Sequence, residues 1–415
     1  MFSLNKFYDI LHNNLVSEFV NGRSYYFYPF GTYDNFKVLN GKDDIDYNQN
    51  ETNFETFKYR PLITGERTHF HCYFFDQEPL YDFEYPILTD MYNLENNKVS
   101  PRRIHVFAVS EKSELVETVR KKYNLYRWYY FFHGFAALDW YRDFQYVNPS
   151  SFDSFSKVFI CYNHLMSKYR SYRLHLVSNL ISQDLVKHGS VSLFLEDSNG
   201  TWKQSLQDPE SPLDTRAKIK IYQTLRNVTD PLVIDIKTPN GSLSAEINFT
   251  DLTNAFWHIV TETVYFLPKL HLTEKVFKPI IAQRPFILVA APGNLAYLKS
   301  YGFKTFDRWI DESYDQEQDH YIRIERITSE IAKLCALPMS ELKQMHQEMQ
   351  EVLQYNYNHF YGNFKHIIVN ELVDNFEGVL MQFNNGRQPN NHSRFHHRFE
   401  LSKDYLQEVK QRLLK

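Results

Sequence analysis

The run "LTEKVFKPIIAQRPFILVAA" (residues 272–291) sets one acid, two lysines and an arginine in an otherwise apolar stretch. Its second half, "PFILVAA" (285–291), is a short unbroken apolar segment, as a parallel strand covered on both faces requires. The first half places Thr273 where its hydroxyl can cap a helix start, with Glu274 and Lys275 immediately behind it. Pro279 has no N–H to return to the Lys275 carbonyl, so the sequence predicts an interrupted helix there. Upstream, "AFWHIVTET" (255–263) alternates as a strand running into Glu262. Strand, charged turn and second strand together predict a unit of an α/β sheet, where ligands bind beyond the carboxyl ends of the strands.

The same logic recurs on either side. "KVFICYN" (157–163) reads as a strand, and the helix after it carries Leu174, Val177, Leu180 and Ile181 as its apolar stripe. "GNLAYLKSYGF" (293–303) reads as a short helix ended by Gly302 in the left-handed conformation. "SELKQMHQEMQEVLQYNYNHF" (340–360) puts Leu342, Met345, Met349 and Val352 on one helical stripe. In the N-terminal part, "THFHCYFF" (68–75) and Ile104–Val109 read as strands. Ser110 then caps a helix with Leu115 and Val119 on one face, and "RWYYFFHGF" (127–135) reads as a further strand. Residues 196–240 are polar and have no clear period. The polar stretch "QYVNPSSFDSFS" (145–156) is the best linker. The division expected is an α/β domain over 1–150, a second over 157–383, and a polar tail with a terminal helix over 384–415, a size that suits two cores.

Bulk properties exclude some classes. A net charge of −4 disfavours a static partner of DNA or RNA backbone. With 34 Phe and 30 Tyr against 13 Gly, the chain has rings enough for its cores and for a groove. The first twenty residues lack the apolar segment of a signal peptide, and no stretch approaches the ~18 apolar residues of a membrane span. Cys72, Cys161 and Cys335 give neither a metal spacing nor a disulfide framework, so the expectation is a cytoplasmic protein. His69 and His71, or His396 and His397, suit a metal less well than surface or packed positions. There is no Walker A loop, dinucleotide fingerprint, H-E-x-x-H or G-x-S-x-G.

The charged run has a specific chemical reading. A capped helix start is a seat for phosphate, and Lys275 and Lys278 add full positive charge for a diphosphate. Glu274 can accept two hydroxyl bonds, as a ribose diol offers. The plain alternative is a surface Glu274–Lys278 ion pair at i,i+4, contributing about 0.2–0.5 kcal/mol.

Taken as a set, T-E-K-x-F-K-P from Thr273, P-F-I from Pro285 and G-F-K-T-F from Gly302 resemble the donor-binding half of a GT-B glycosyltransferase. The likeness is to the fucosyltransferase-like and exostosin-like groups, phage-type members above all, and covers about residues 157–365. It implies an α/β chain of two Rossmann-like domains facing a central cleft, with C-terminal helices. It implies transfer of a sugar from a UDP- or GDP-linked donor to a hydroxyl acceptor, a glycan or a hydroxymethylated DNA base, without a metal. In such proteins a diphosphate-contacting arginine opens the donor domain, which points to Arg170 and Arg173. An N-domain carboxylate serves as base for an inverting reaction; Glu78 is preferred over Glu111 and Asp139. Glu262 would contact the donor sugar, or else serve as a cap. Residues 196–250 and Pro279 depart from the fucosyltransferase pattern. A DNA acceptor would need a basic, aromatic surface, for which residues 119–135 offer Arg120, Lys121, Lys122 and Arg127 among rings, or else a helix end and a core strand. A phage protein of this kind would work in the host cytoplasm. The competing functions are an inert nucleotide- or sugar-binding protein and a virion component.

Overall fold

The structure is a computed structural model and describes residues 2–11, 15, 24–27, 36–39, 70–77, 79–80, 104–122, 125–147, 154–197, 200–209, 211–232, 234, 244–386 and 403–415. It is a mixed α/β fold with parallel sheets. The chain divides into two units, Met1–Arg142 with Lys365–Lys415, and Asp143–Phe364.

In the first unit, β1 (Ser24–Phe27) and β2 (Phe36–Leu39) form an antiparallel pair. Strands β3 (Phe70–Phe75), β4 (Ile104–Val109) and β5 (Tyr126–Tyr129) form a parallel sheet in that order. Residues Val106–Val109 are buried in succession, the signature of a strand covered on both faces. The following helix spans Glu114–Lys122 and buries Val116 and Val119; Ser113, not Ser110, accepts from its Val116 N–H at 3.2 Å. Ser110 instead accepts from the Phe132 N–H at 3.0 Å, at the start of helix Phe132–Trp140. The strand expected across 127–135 is therefore cut at Tyr129. An apolar run buried on all sides has the same composition as strand or helix, so its period does not discriminate.

The C-terminal segment differs from the expected division. Helix Phe364–Gly386 meets the first unit where Trp128 Nε1 donates to the Leu372 carbonyl at 3.0 Å and Asn375 Nδ2 donates to the Tyr129 carbonyl at 2.8 Å. Phe376 packs on Trp128 with ring centres 4.8 Å apart. Helix Lys403–Leu414 buries Leu406, Val409 and Leu413. Residues 365–415 thus group with the first unit.

In the second unit, β6 (Lys157–Cys161), β7 (Gly189–Val191), β10 (Ala255–Thr261) and β11 (Phe286–Val289) are all parallel, in the order β11-β10-β6-β7. Strand β10 is central and buried throughout. Gly189 sits opposite Phe159 in the register, and a Cβ there would lie 2.5 Å from the Phe159 ring. Helix Tyr172–Ser182 follows β6 and buries Leu174, Val177 and Leu180, with Ile181 half-buried. The stretch with no clear period contains a hairpin, β8 (Glu196–Asp197) with β9 (Gly200–Thr201), and two helices. Helix Trp202–Gln207 starts on a Thr201/Gln204 capping box, and Thr215–Leu225 on Asp214. Gly302 has φ 91°, the left-handed value expected. Pro279 is the third residue of the short helix Phe277–Ile281, where an N–H would have no helical partner, so it interrupts nothing.

From β6 the chain moves outward to β7, then returns past β6 to β10 and continues to β11. Winding therefore reverses between β6 and β10. In parallel α/β sheets ligands bind beyond the carboxyl ends at such a reversal. The residues there are Tyr162–Asn163 after β6 and Glu262–Thr263 after β10.

Candidate functional site

Glu262 follows β10 directly, and its N–H extends the sheet by donating to the Val289 carbonyl at 3.0 Å. Its side chain is fully buried. The carboxylate accepts from the Thr273 hydroxyl at 2.6 Å, the Thr273 N–H at 3.2 Å and the Thr263 N–H at 3.3 Å. The first lies within the ordinary range for a hydroxyl donor. Thr273 reaches this place through a tethered loop: Asn294 accepts from the His271 N–H at 3.0 Å and donates to the Lys269 and Ala291 carbonyls at 2.9 and 2.8 Å.

The Thr273 hydroxyl spends its hydrogen on Glu262, so its lone pairs face other donors. Lys275 Nζ donates to it at 3.0 Å and to Thr263 Oγ1 at 3.3 Å, and lies 3.6 Å from Glu274 Oε1. Carboxylate, hydroxyl and ammonium thus form a relay. Glu274 is 3% exposed and Lys275 33%, so the ammonium is the group of the relay with access to a ligand. Glu274 pairs with Lys275 and is buried, which replaces the surface Glu274–Lys278 pair. The turn itself is a 3-10 element, Glu274–Val276, running into the five-residue helix Phe277–Ile281. The Lys275 N–H is loosely capped by Thr273 Oγ1 at 3.5 Å. So short a helix offers no dipole seat for phosphate, contrary to the sequence expectation; any anion here is held by the side chains.

Behind Glu262 lies helix Tyr172–Ser182. Arg173 is 4% exposed and donates to the carbonyls of Leu165 (2.9 Å), Thr261 (3.0 Å) and Glu262 (3.3 Å). Those bonds staple the loop after β6 to the end of β10 and direct the guanidinium at main chain. The Tyr172 hydroxyl donates to the Glu262 carbonyl at 2.5 Å. Burial raises the Tyr172 phenol above its ordinary value and pushes the Cys161 thiol up to about 12, so both stay protonated. Asn163 is locked between strand ends, donating to the Ser192 carbonyl at 3.1 Å.

The structure brings together Glu262, Thr273, Glu274, Lys275 and Arg173. Arg170 is half-buried in the 3-10 turn Lys168–Arg170, where its N–H donates to the Ser167 carbonyl at 3.0 Å. Lys278 donates to the Glu246 carbonyl at 2.9 Å. Glu78 lies outside the described residues, as do His69, His396 and His397. Glu111 is buried and accepts from the Leu80 N–H at 2.7 Å and the Ser113 hydroxyl at 2.6 Å, while Asp139 pairs with Arg142. In residues 119–135 the rings of Trp128, Tyr129, Tyr130, Phe131, Phe132 and Phe135 are buried, and Arg120 and Arg127 both pair with Glu117. Among its described residues that segment is core plus a charged helix end, with Tyr126 half-buried. Two participants lack a sequence signal strong enough to find them: Thr263, quoted only as part of T-E-T, and Tyr172, one aromatic among many.

Among the described residues no three His, Cys, Asp or Glu side chains converge as a metal-binding group, and no helix is long and apolar enough to cross a membrane. No protein-family model, curated protein or solved structure matches the chain.

Proposed function

We propose that the second unit binds the diphosphate of a nucleoside-diphosphate sugar at Lys275, and that the protein transfers the sugar to a hydroxyl acceptor as a metal-independent GT-B glycosyltransferase. The observation that carries this reading is the part-exposed Lys275 ammonium, oriented by the Thr263 and Thr273 hydroxyls at the winding reversal of a parallel sheet. In this reading Lys275 compensates the charge on the leaving diphosphate, while Glu274, 3% exposed, sits beside that ammonium and does not reach the ribose hydroxyls. Glu262 acts through Thr273 and does not touch the sugar, since its carboxylate is already bonded three times by the protein. An acid of the first unit, Glu78 for preference, takes the proton of the acceptor hydroxyl on a glycan or a hydroxymethylated DNA base.

The test is titration of UDP, GDP and their sugars against the full chain. The expected result is micromolar to millimolar binding of one nucleotide and a loss of about tenfold or more in Lys275→Met, the loss of one charge-assisted contact. Equal affinity in Lys275→Met would remove the donor site. Donor hydrolysis in Glu78→Ala examines the base: unchanged turnover eliminates Glu78. A second reading, binding without transfer, is favoured by the full engagement of Glu262. It predicts nucleotide binding with no hydrolysis or transfer to any acceptor.

A further inference from the structure

Four buried side chains stand in a row behind the Glu262 carbonyl. Arg323 lies 4.1 Å from the Tyr265 ring centre, the Tyr265 and Tyr172 rings stack at 4.3 Å and 17°, and Arg173 flanks the Tyr172 ring at 5.8 Å. None of the four is more than 4% exposed. Ring faces carry like quadrupoles, and a guanidinium against each ring offsets their repulsion. The far end of the row is fixed to helix His320–Ala336 and the turn before it. There Arg323 donates to the carbonyls of Tyr265 (2.6 Å) and Glu317 (2.7 Å), and the Tyr265 hydroxyl donates to that of His320 (2.6 Å).

The near end acts on one peptide unit. Its carbonyl, from Glu262, accepts from the Tyr172 hydroxyl at 2.5 Å and from Arg173 Nη2 at 3.3 Å. Its N–H, from Thr263, donates to the Glu262 carboxylate. Bonds at the two ends of a peptide polarise each other. The same carboxylate orients Thr273, and Thr273 orients Lys275. A Phe at 172 would keep the stack and leave the carbonyl with only the longer Arg173 bond.

We infer that Tyr172 is a positioning residue whose hydroxyl fixes the Glu262–Thr263 peptide and, through it, the carboxylate–threonine–lysine relay. The effect on nucleotide binding rests on the function proposed above; the positioning can be read without any nucleotide.

The experiment compares full-length wild type, Tyr172→Phe and Tyr265→Phe. The last keeps the stack and removes a bond directed away from Glu262. Amide hydrogen exchange is measured at Thr263 and Thr273, whose N–H groups both donate to the Glu262 carboxylate. Tyr172→Phe is expected to speed both about tenfold while the β11 amides stay within about twofold; Tyr265→Phe is expected to change neither pair. UDP and GDP titrations follow in Tyr172→Phe, Lys275→Met and the double variant. Affinity should fall about tenfold in Tyr172→Phe and about twofold or less in the Lys275→Met background, because the hydroxyl acts through that lysine. A general structural cost would be equal in both backgrounds, and that result overturns the relay. Unchanged exchange at Thr263 and Thr273 overturns the inference whatever the nucleotides do. Faster exchange with no binding of either nucleotide, or with equal affinity in Lys275→Met, overturns the donor reading and leaves the positioning role standing.

Discussion

Thr273→Val keeps the β-branch and removes one oxygen. That oxygen donates to Glu262 at 2.6 Å, accepts from Lys275 Nζ at 3.0 Å and loosely caps the Lys275 N–H at 3.5 Å. The bond to Glu262 dominates, because removing it leaves a fully buried acceptor short of a donor, which costs about 1–3 kcal/mol. Glu262 has no exposure, so water cannot replace the lost donor, and only two longer N–H bonds remain. Lys275 keeps Thr263 and solvent, so its share is about 0.5 kcal/mol. The cap, at the limit of bonding distance, adds less. The sum is about 2–4 kcal/mol, which for a unit of about 150–250 residues lowers the melting temperature by roughly 4–16 °C. Thr273→Ser keeps the oxygen and loses a methyl, about 1 kcal/mol. Thermal melts by far-ultraviolet circular dichroism and urea midpoints at neutral pH measure both variants. A Thr273→Val protein melting within about 2 °C of wild type would refute the reasoning, as would equal losses in Val and Ser, since either means the hydroxyl does not hold Glu262.

Further outcomes follow from other elements. His258 is buried in β10 and donates through Nε2 to the Leu252 carbonyl at 3.0 Å; burial lowers its pKa from 6.5 to about 3. The folded value lies below the unfolded one, so its stabilising effect is present above about pH 6.5 and is lost as pH falls toward 3, roughly 3 kcal/mol by pH 4. His258→Gln should flatten that part of the slope of the urea midpoint between pH 7 and 4. Gly189→Ala forces a methyl against the buried Phe159 ring and should cost about 1–3 kcal/mol, with Phe159→Leu recovering part of the loss in the double variant. Lys278→Ala should bind nucleotide within about twofold of wild type, since its ammonium is directed to Glu246; a tenfold loss would return Lys278 to the site. Truncation after residue 402 removes three buried side chains, Leu406, Val409 and Leu413, on the order of 5 kcal/mol, and limited proteolysis should then cut the first unit much faster than the second.

Much of the second unit is legible in its sequence because its signals are local. The continuous apolar run at Phe286–Val289, the stripe of Leu174, Val177 and Leu180, and the left-handed Gly302 each need only near neighbours to be read. The Thr273 cap is legible too, but its strength is not. Its partner Glu262 is eleven residues away, and the loop tethered by Asn294 brings the two within 2.6 Å. The same distance hides Tyr172, whose hydroxyl meets a carbonyl ninety positions on. Arg173 illustrates the opposite failure. A basic residue beside a presumed anion site reads as a ligand contact, yet three carbonyls claim it, and no periodicity records the direction of a side chain. The break at Tyr129 was invisible for a compositional reason, since every residue from Trp128 to Leu138 is apolar or buried and suits either element.

The return of residues 365–415 to the first unit bears on the order in which the chain can fold during synthesis. The second unit is one continuous segment, so it has all its residues once position 364 has left the ribosome. The first unit is split around it: its parallel sheet emerges early and waits for Leu372 and Phe376. Through more than two hundred residues of translation, the Trp128 side of that sheet is an unfinished apolar surface. The split unit is therefore where a chaperone would be needed, and where a premature stop late in the gene would do the most damage.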